Sequence, residues 1–119
     1  MSDKALNGLA MVGAGGTPER DAPAAEKIVS GSPRFSTWNA TEDDGGTVFC
    51  GVWEATPGTW RIAYDEWEFC HIISGVSVLT DADGNSRRVA AGDAFVIRPG
   101  FSGTWEVVET TRKHYVIRL

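Results

Sequence analysis

Beyond residue 30 the chain never sustains the apolar period that would build a helical stripe. It breaks instead into short apolar runs separated by glycine, proline and aspartate at near-regular intervals. The runs are Arg34–Asn39, Thr47–Ala55, Thr59–Tyr64, Trp67–Ile73, Val76–Thr80, Ser86–Ala90, Asp93–Ile97, Gly103–Val108 and Lys113–Ile117. Between them stand Asp43-Asp44-Gly45-Gly46, Pro57-Gly58, the Asp83-Gly84 pair and Pro99-Gly100. Short strands at such spacing predict an all-β sandwich or barrel, and exclude the longer alternation of βαβ units. Two runs stand out, Glu68–Gly75 and Gly92–Gly100, each apolar, bounded by glycine and carrying only a few polar groups.

Residues 1–30 are different. Alanine, glycine and proline dominate, no period is sustained, and the segment reads as a poorly ordered or draped arm ahead of a single domain over 31–119. Its Gly13-Ala14-Gly15-Gly16 run follows no strand and does not complete a dinucleotide-binding fingerprint. The 119 residues suffice for one core without staples. A net charge of −5 argues against a nucleic-acid surface, which needs a basic patch for the phosphates. No basic amphipathic stretch or bilayer-length apolar run points to a membrane. Cys50 and Cys70 lie in apolar runs, where a free thiol behaves as a small hydrophobe. With a poor secretory signal at the N-terminus, these features predict a cytoplasmic protein, in which the Asn39-Ala40-Thr41 sequon needs no glycan.

The two glycine-bounded runs resemble the paired signature motifs of cupins. Glu68 with Gly75 matches the end of the first motif, and Gly92-Asp93 with Pro99-Gly100 the second. Gly51-Val-Trp-Glu, Pro57-Gly58-Thr-Trp-Arg61, the Ala91–Phe101 run, Gly103-Thr-Trp-Glu and Arg112-Lys-His-Tyr115 further resemble small single-domain cupins grouped with the ureidoglycine aminohydrolase cupin domain. The resemblance covers Phe49 to the C-terminus and implies a cupin double-stranded β-helix, or jelly-roll barrel. In metal-binding cupins a His-x-His pair precedes the motif glutamate and a third histidine follows the second motif. The corresponding positions here are Ile62/Tyr64 or Arg61/Ala63, and Gly103. Only Glu68 remains of the tetrad, and one carboxylate does not hold a transition metal. No metal ligand and no cofactor is assigned, although a divalent metal on a different ligand set stays open.

Alternation places Glu68, Cys70 and Ile72 on one strand face. If that face is the interior, burial raises the Glu68 pKa and makes it a candidate general acid or base. The competing reading satisfies the carboxylate with Arg61, Arg98 or a tyrosine hydroxyl. Tyr64 has the parity to assist in catalysis or to bind Glu68 and plug the vacated metal position. Cys70 is a buried thiol facing the ligand, and its neighbour His71 points the other way, so the two form no dyad. His114 is assigned to a surface or interface, and Glu66 to an exposed turn. Phe101 and Trp105 are expected to line the cavity, with Trp53, Trp60, Trp67 and Phe95 serving as wall or filler. Arg61 and Arg98 are candidate anchors for a ligand carboxylate.

The functional expectation is a small-molecule enzyme acting on a small polar, nitrogen-containing or carboxylate-bearing metabolite, with Glu68 and Tyr64 catalytic. The competing expectation is a non-catalytic small-molecule-binding module, and a third has the barrel filled by its own side chains. A homodimer is expected from strand edges that remain open to pairing.

Overall fold

The computed structural model describes residues 7–119. Nine strands form a single curled sheet, with one 3-10 turn at Ala25–Lys27 and no α-helix among the described residues. In chain order the strands are β1 (Glu19–Asp21), β2 (Ile28–Gly31), β3 (Phe35–Asp43), β4 (Val48–Ala55), β5 (Gly58–Ala63), β6 (Trp67–Asp81), β7 (Ser86–Ala90), β8 (Ala94–Ile97) and β9 (Ser102–Arg118). The fold is the all-β barrel that the strand pattern implies.

Its spine is the antiparallel pair of the two longest strands, β6 and β9. The other flank of β9 carries β5 near its start and β4 near its end, and the other flank of β6 carries β8 and then β7. Two breaks expected from the sequence are absent. Trp67–Ile73 and Val76–Thr80 belong to one strand, and so do Gly103–Val108 and Lys113–Ile117. Register shifts between Ile72 and Ser77 bend β6 without ending it. Gly75 sits there at φ 88°, and a Cβ on it would run into the Thr110 carbonyl of β9.

The bulge also changes strand parity. Before it the buried residues are Glu68, Cys70 and Ile72; after it they are Ser77 and Leu79. Both halves of β6 therefore present their apolar residues to one interior despite the bend. Trp60, Ile72, Leu79, Val89, Ile97, Trp105 and Val107 fill it. Trp105 is 1% exposed, and its indole N–H donates to Ser77 Oγ at 3.0 Å, so its one polar atom is satisfied. Truncation of such a side chain to alanine costs on the order of 3–5 kcal/mol.

Of the arm expected over residues 1–30, the first six lie outside the described residues. Glu19–Asp21 pairs with Phe35–Thr37 of β3, and Ile28–Gly31 pairs with β5.

Candidate functional site

Between the inner faces of β3, β4, β5, β6 and β9 lies a half-open cavity of about 530 Å³. Its floor is polar. Glu68 and Lys113 are buried and form an ion pair, with Lys113 Nζ 2.9 Å from Glu68 Oε2. The Tyr64 hydroxyl donates to the other carboxylate oxygen, Oε1, at 2.6 Å. Cys70 Sγ lies 3.5 Å from Lys113 Nζ. The ammonium also sits over two indole faces, 4.5 Å from the Trp53 centroid and 4.6 Å from that of Trp105.

Local structure explains each placement. Glu68 and Cys70 share a face because they are two apart on β6. Ile72 pairs with Lys113 and Cys70 with Tyr115, so the inward residues of β9 fall opposite them. Tyr64 follows the end of β5, where its backbone N–H bonds the Phe101 carbonyl at 2.8 Å. Phe35, Trp53, Trp60 and Trp105 form the aromatic wall, with neighbouring ring centroids 5.0–5.5 Å apart in the closest pairs. The Tyr115 hydroxyl closes one side by donating to Asn39 Oδ1 at 2.6 Å. Glu19, Glu42 and Glu66 stand around the opening.

The titration of the floor follows from its burial. Burial is the largest single influence on Lys113 and pushes it down, but the Glu68 carboxylate beside it and, to a smaller degree, Cys70 and Tyr64 together outweigh burial and hold the ammonium well above the ordinary lysine value. Burial raises the Tyr64 hydroxyl far above its ordinary value, against a smaller opposing pull from Lys113. Burial likewise pushes the Cys70 thiol up to about 12, only partly offset by Lys113. At neutral pH Lys113 is thus an ammonium, Tyr64 a neutral phenol and Cys70 a neutral thiol. Such a thiol is a poor nucleophile.

The fold gathers Glu68, Tyr64 and Cys70, whose strand parity was compatible with one site, together with Trp105, and scatters the rest. Arg61 is exposed and its guanidinium donates to the Glu26 carbonyl; Arg98 is exposed at the end of β8. Neither reaches Glu68, whose cationic partner is Lys113. Phe101 lines a separate cavity of about 400 Å³ with Leu79, Val89 and Ile97. Two carboxylates at that cavity serve the backbone: Asp81 accepts from the N–H groups of Asp83 and Asn85, and Asp93 from that of Ala90. Trp67 faces a third depression beside Arg118. His71 and His114 are cross-strand neighbours on the outer face, Nδ1 to Nδ1 3.2 Å, away from Glu68 as alternation required.

Sequence reasoning missed Lys113. Its signal was the odd-numbered parity it shares with Thr111, Tyr115 and Ile117 on β9, a face that carries Trp105 and Val107 further back. Lysine is so seldom buried that residue type overrode parity. Glu19, Glu42 and Asn39 were missed because only tertiary pairing brings β1 and β3 to this cavity, and Tyr115 because only the β6–β9 register sets it opposite Cys70.

A model of the EutQ-like cupin domain matches residues 42–115, more than half of the chain. The chain belongs to the EutQ-like cupin domain family. Among solved structures this cupin is similar to a DUF861-family protein of unknown function from Pseudomonas syringae pv. tomato, with 28% identity and a TM-score of 0.77 over 85% of this chain and 43% of that one. It is also similar to a DUF861-family protein from Thermotoga maritima, with 33% identity and a TM-score of 0.52 over 54% of this chain and 73% of that one. The EutQ protein of Clostridium difficile shares the fold at 22% identity, with a TM-score of 0.64 over 73% of this chain and 64% of that one. The chain spans less than half the length of the Pseudomonas protein and just under two thirds of the Clostridium protein. None of the curated proteins matches the sequence.

The residues present do not fit the metal that many cupins hold. Both Glu68 oxygens are engaged, by Lys113 and by Tyr64. The ammonium beside them would repel a divalent cation, and the thiol that touches it is protonated. At Gly103, where a third histidine would stand, a Cβ would collide with the Thr80 carbonyl. No group of three or more histidine, cysteine or acidic side chains converges on one point among the described residues.

Proposed function

We propose that this cupin binds a small molecule in the cavity above the Tyr64–Glu68–Lys113 floor, without transforming it. The observation that carries this reading is the internal saturation of the floor. The carboxylate is paired at both oxygens, and no buried side-chain polar atom lacks a partner among the described residues. A general base needs reach to a substrate proton, whereas this carboxylate is committed to its own chain. What stays open is the half-buried part of the aromatic wall at Phe35 and Trp53, which suits recognition of a small ligand by shape and ring contact. Protein-detected NMR with small-metabolite mixtures tests this. Ligand-dependent shifts of the Trp53, Trp60 and Trp105 indole signals are expected, and a cavity that responds to no metabolite class overturns the reading.

A catalytic reading draws support from one feature. The 2.6 Å bond from Tyr64 to Glu68 faces the cavity, so a ligand that displaced the phenol would meet the carboxylate with Lys113 behind it. Glu68→Gln separates the two. Turnover of a bound ligand that vanishes in this variant while affinity survives would establish catalysis.

Homodimer formation along a sheet edge belongs to the same reading. β1 and β2 end the strand order, each with one unpaired flank. Light scattering on the purified chain checks it, and a monomeric mass at all concentrations refutes it.

A further inference from the structure

We propose that the cavity selects a small organic cation, an amine or quaternary ammonium, over neutral or anionic molecules of the same shape. The inference rests on the binding reading above and names the ligand class for that site. It starts from a charge inventory of the cavity. Glu68 is neutralised by Lys113, the one basic residue in the lining. That leaves Glu19, Glu42 and Glu66, none of them in an ion pair among the described residues. They come from β1, from β3 and from the turn before β6, so three separate elements bring one sign of charge to one opening. A cleft lined by one sign above low-dielectric walls focuses its field on what enters.

The wall independently favours the same ligand. Aromatic faces attract ammonium groups through the ring quadrupole. This wall already demonstrates the preference, since the Lys113 ammonium rests 4.5 Å from the Trp53 centroid and 4.6 Å from that of Trp105. Trp60 and Trp105 are buried behind this surface, and the ring area left to a ligand is that of half-buried Trp53 and Phe35, whose centroids lie 5.2 Å apart. An entering cation would thus meet ring surface inside and carboxylates at the rim. An anion would meet the same carboxylates and a lysine already committed to Glu68. Arg61 and Arg98, the candidate carboxylate anchors, do not line this cavity.

The test uses three probes of one shape and different charge: choline, its uncharged isostere neohexyl alcohol, and the anion of tert-butylacetic acid. Affinities come from tryptophan fluorescence and are cross-checked by NMR shifts of the indoles. Choline is expected to bind at least about tenfold more tightly than the alcohol, a difference that added salt erodes, and the anion more weakly still. Glu19→Gln combined with Glu42→Gln should remove most of choline's advantage and leave the alcohol unchanged; both residues are exposed, so folding is not at risk. Equal binding of choline and the alcohol overturns the cation inference while the binding reading stands. Preference for the anion, or failure of all three probes, overturns the inference as well. The binding reading then falls separately, only if the broad metabolite screen also leaves the cavity signals unmoved.

Discussion

Arg112 and Lys113 are consecutive residues on β9, and each ends in an ion pair of almost the same length. Arg112 Nη2 lies 2.8 Å from Glu54 on the outer face, and Lys113 Nζ lies 2.9 Å from Glu68 on the inner face. Each cation also rests on indole, Arg112 5.1 Å from the Trp38 centroid and Lys113 between Trp53 and Trp105. The difference is water. The outer side chains are 36% and 28% exposed, whereas the inner ones are each 4% exposed. Distance alone would call the pairs equivalent. Solvation makes one a weak surface contact and the other an obligatory partnership, because neither inner charge can stand alone in the interior.

The largest effect should come from splitting the inner pair. Lys113→Met strands the Glu68 carboxylate and is expected to cost about 3–5 kcal/mol in urea denaturation. Adding Glu68→Gln to that variant should restore much of the loss, because the uncompensated charge disappears. A single-variant cost as small as that of a surface pair would erase the contrast between the two faces.

Alkaline pH should act on the inner face and spare the outer. Cys70 is raised to about 12, Tyr115 is raised by burial to about 12, and Tyr64 and Lys113 are raised further. Each group holds its proton more tightly in the folded chain than in the unfolded one. Their stabilisation is therefore complete below about pH 8, and it declines as unfolded cysteine, tyrosine and lysine titrate near about 8.5, 10 and 10.4. Melting temperatures should fall steadily from about pH 9 to 12, and Cys70→Ala should delay the onset of that fall toward the tyrosine range. A flat profile across this window would contradict the proposed protonation of the floor.

Tyr64→Phe removes one hydrogen bond to a charged acceptor and should cost about 1.5–3 kcal/mol. Less than that would mean that water takes the phenol's place at Glu68 Oε1. Smallest is Arg112→Ala, expected to cost less than about 1 kcal/mol and to be masked by high salt. A salt-insensitive loss several times larger would show that the outer pair behaves as a buried one.

Much of the fold was legible in the sequence, and only half of the site. Turn residues marked most of the strands, because reversals need glycine, proline and aspartate wherever they occur. They failed at Gly75, where positive φ serves a bulge within β6 rather than a break between two strands, and local sequence cannot distinguish the two. Parity correctly put Glu68 and Cys70 on one face and His71 on the other. Of the partners expected for Glu68, the tyrosine hydroxyl is there as Tyr64, whereas the cation is Lys113 rather than Arg61 or Arg98, because Lys113 lies 45 residues away and is set opposite by register.

By itself the sequence determined the all-β architecture, the common face of Glu68, Cys70 and Ile72, and the absence of histidine at the positions where metal-binding cupins carry their ligands. These are properties of single strands and single positions, governed by a two-residue repeat and by residue type. Only the tertiary structure decided that an ammonium neutralises Glu68, that Tyr64 caps its second oxygen, and that Glu19 and Glu42 reach the same opening. Those outcomes depend on how β6 and β9 align and how far the sheet curls at the Gly75 bulge. Register and curvature belong to the whole sheet, so no local pattern encodes them.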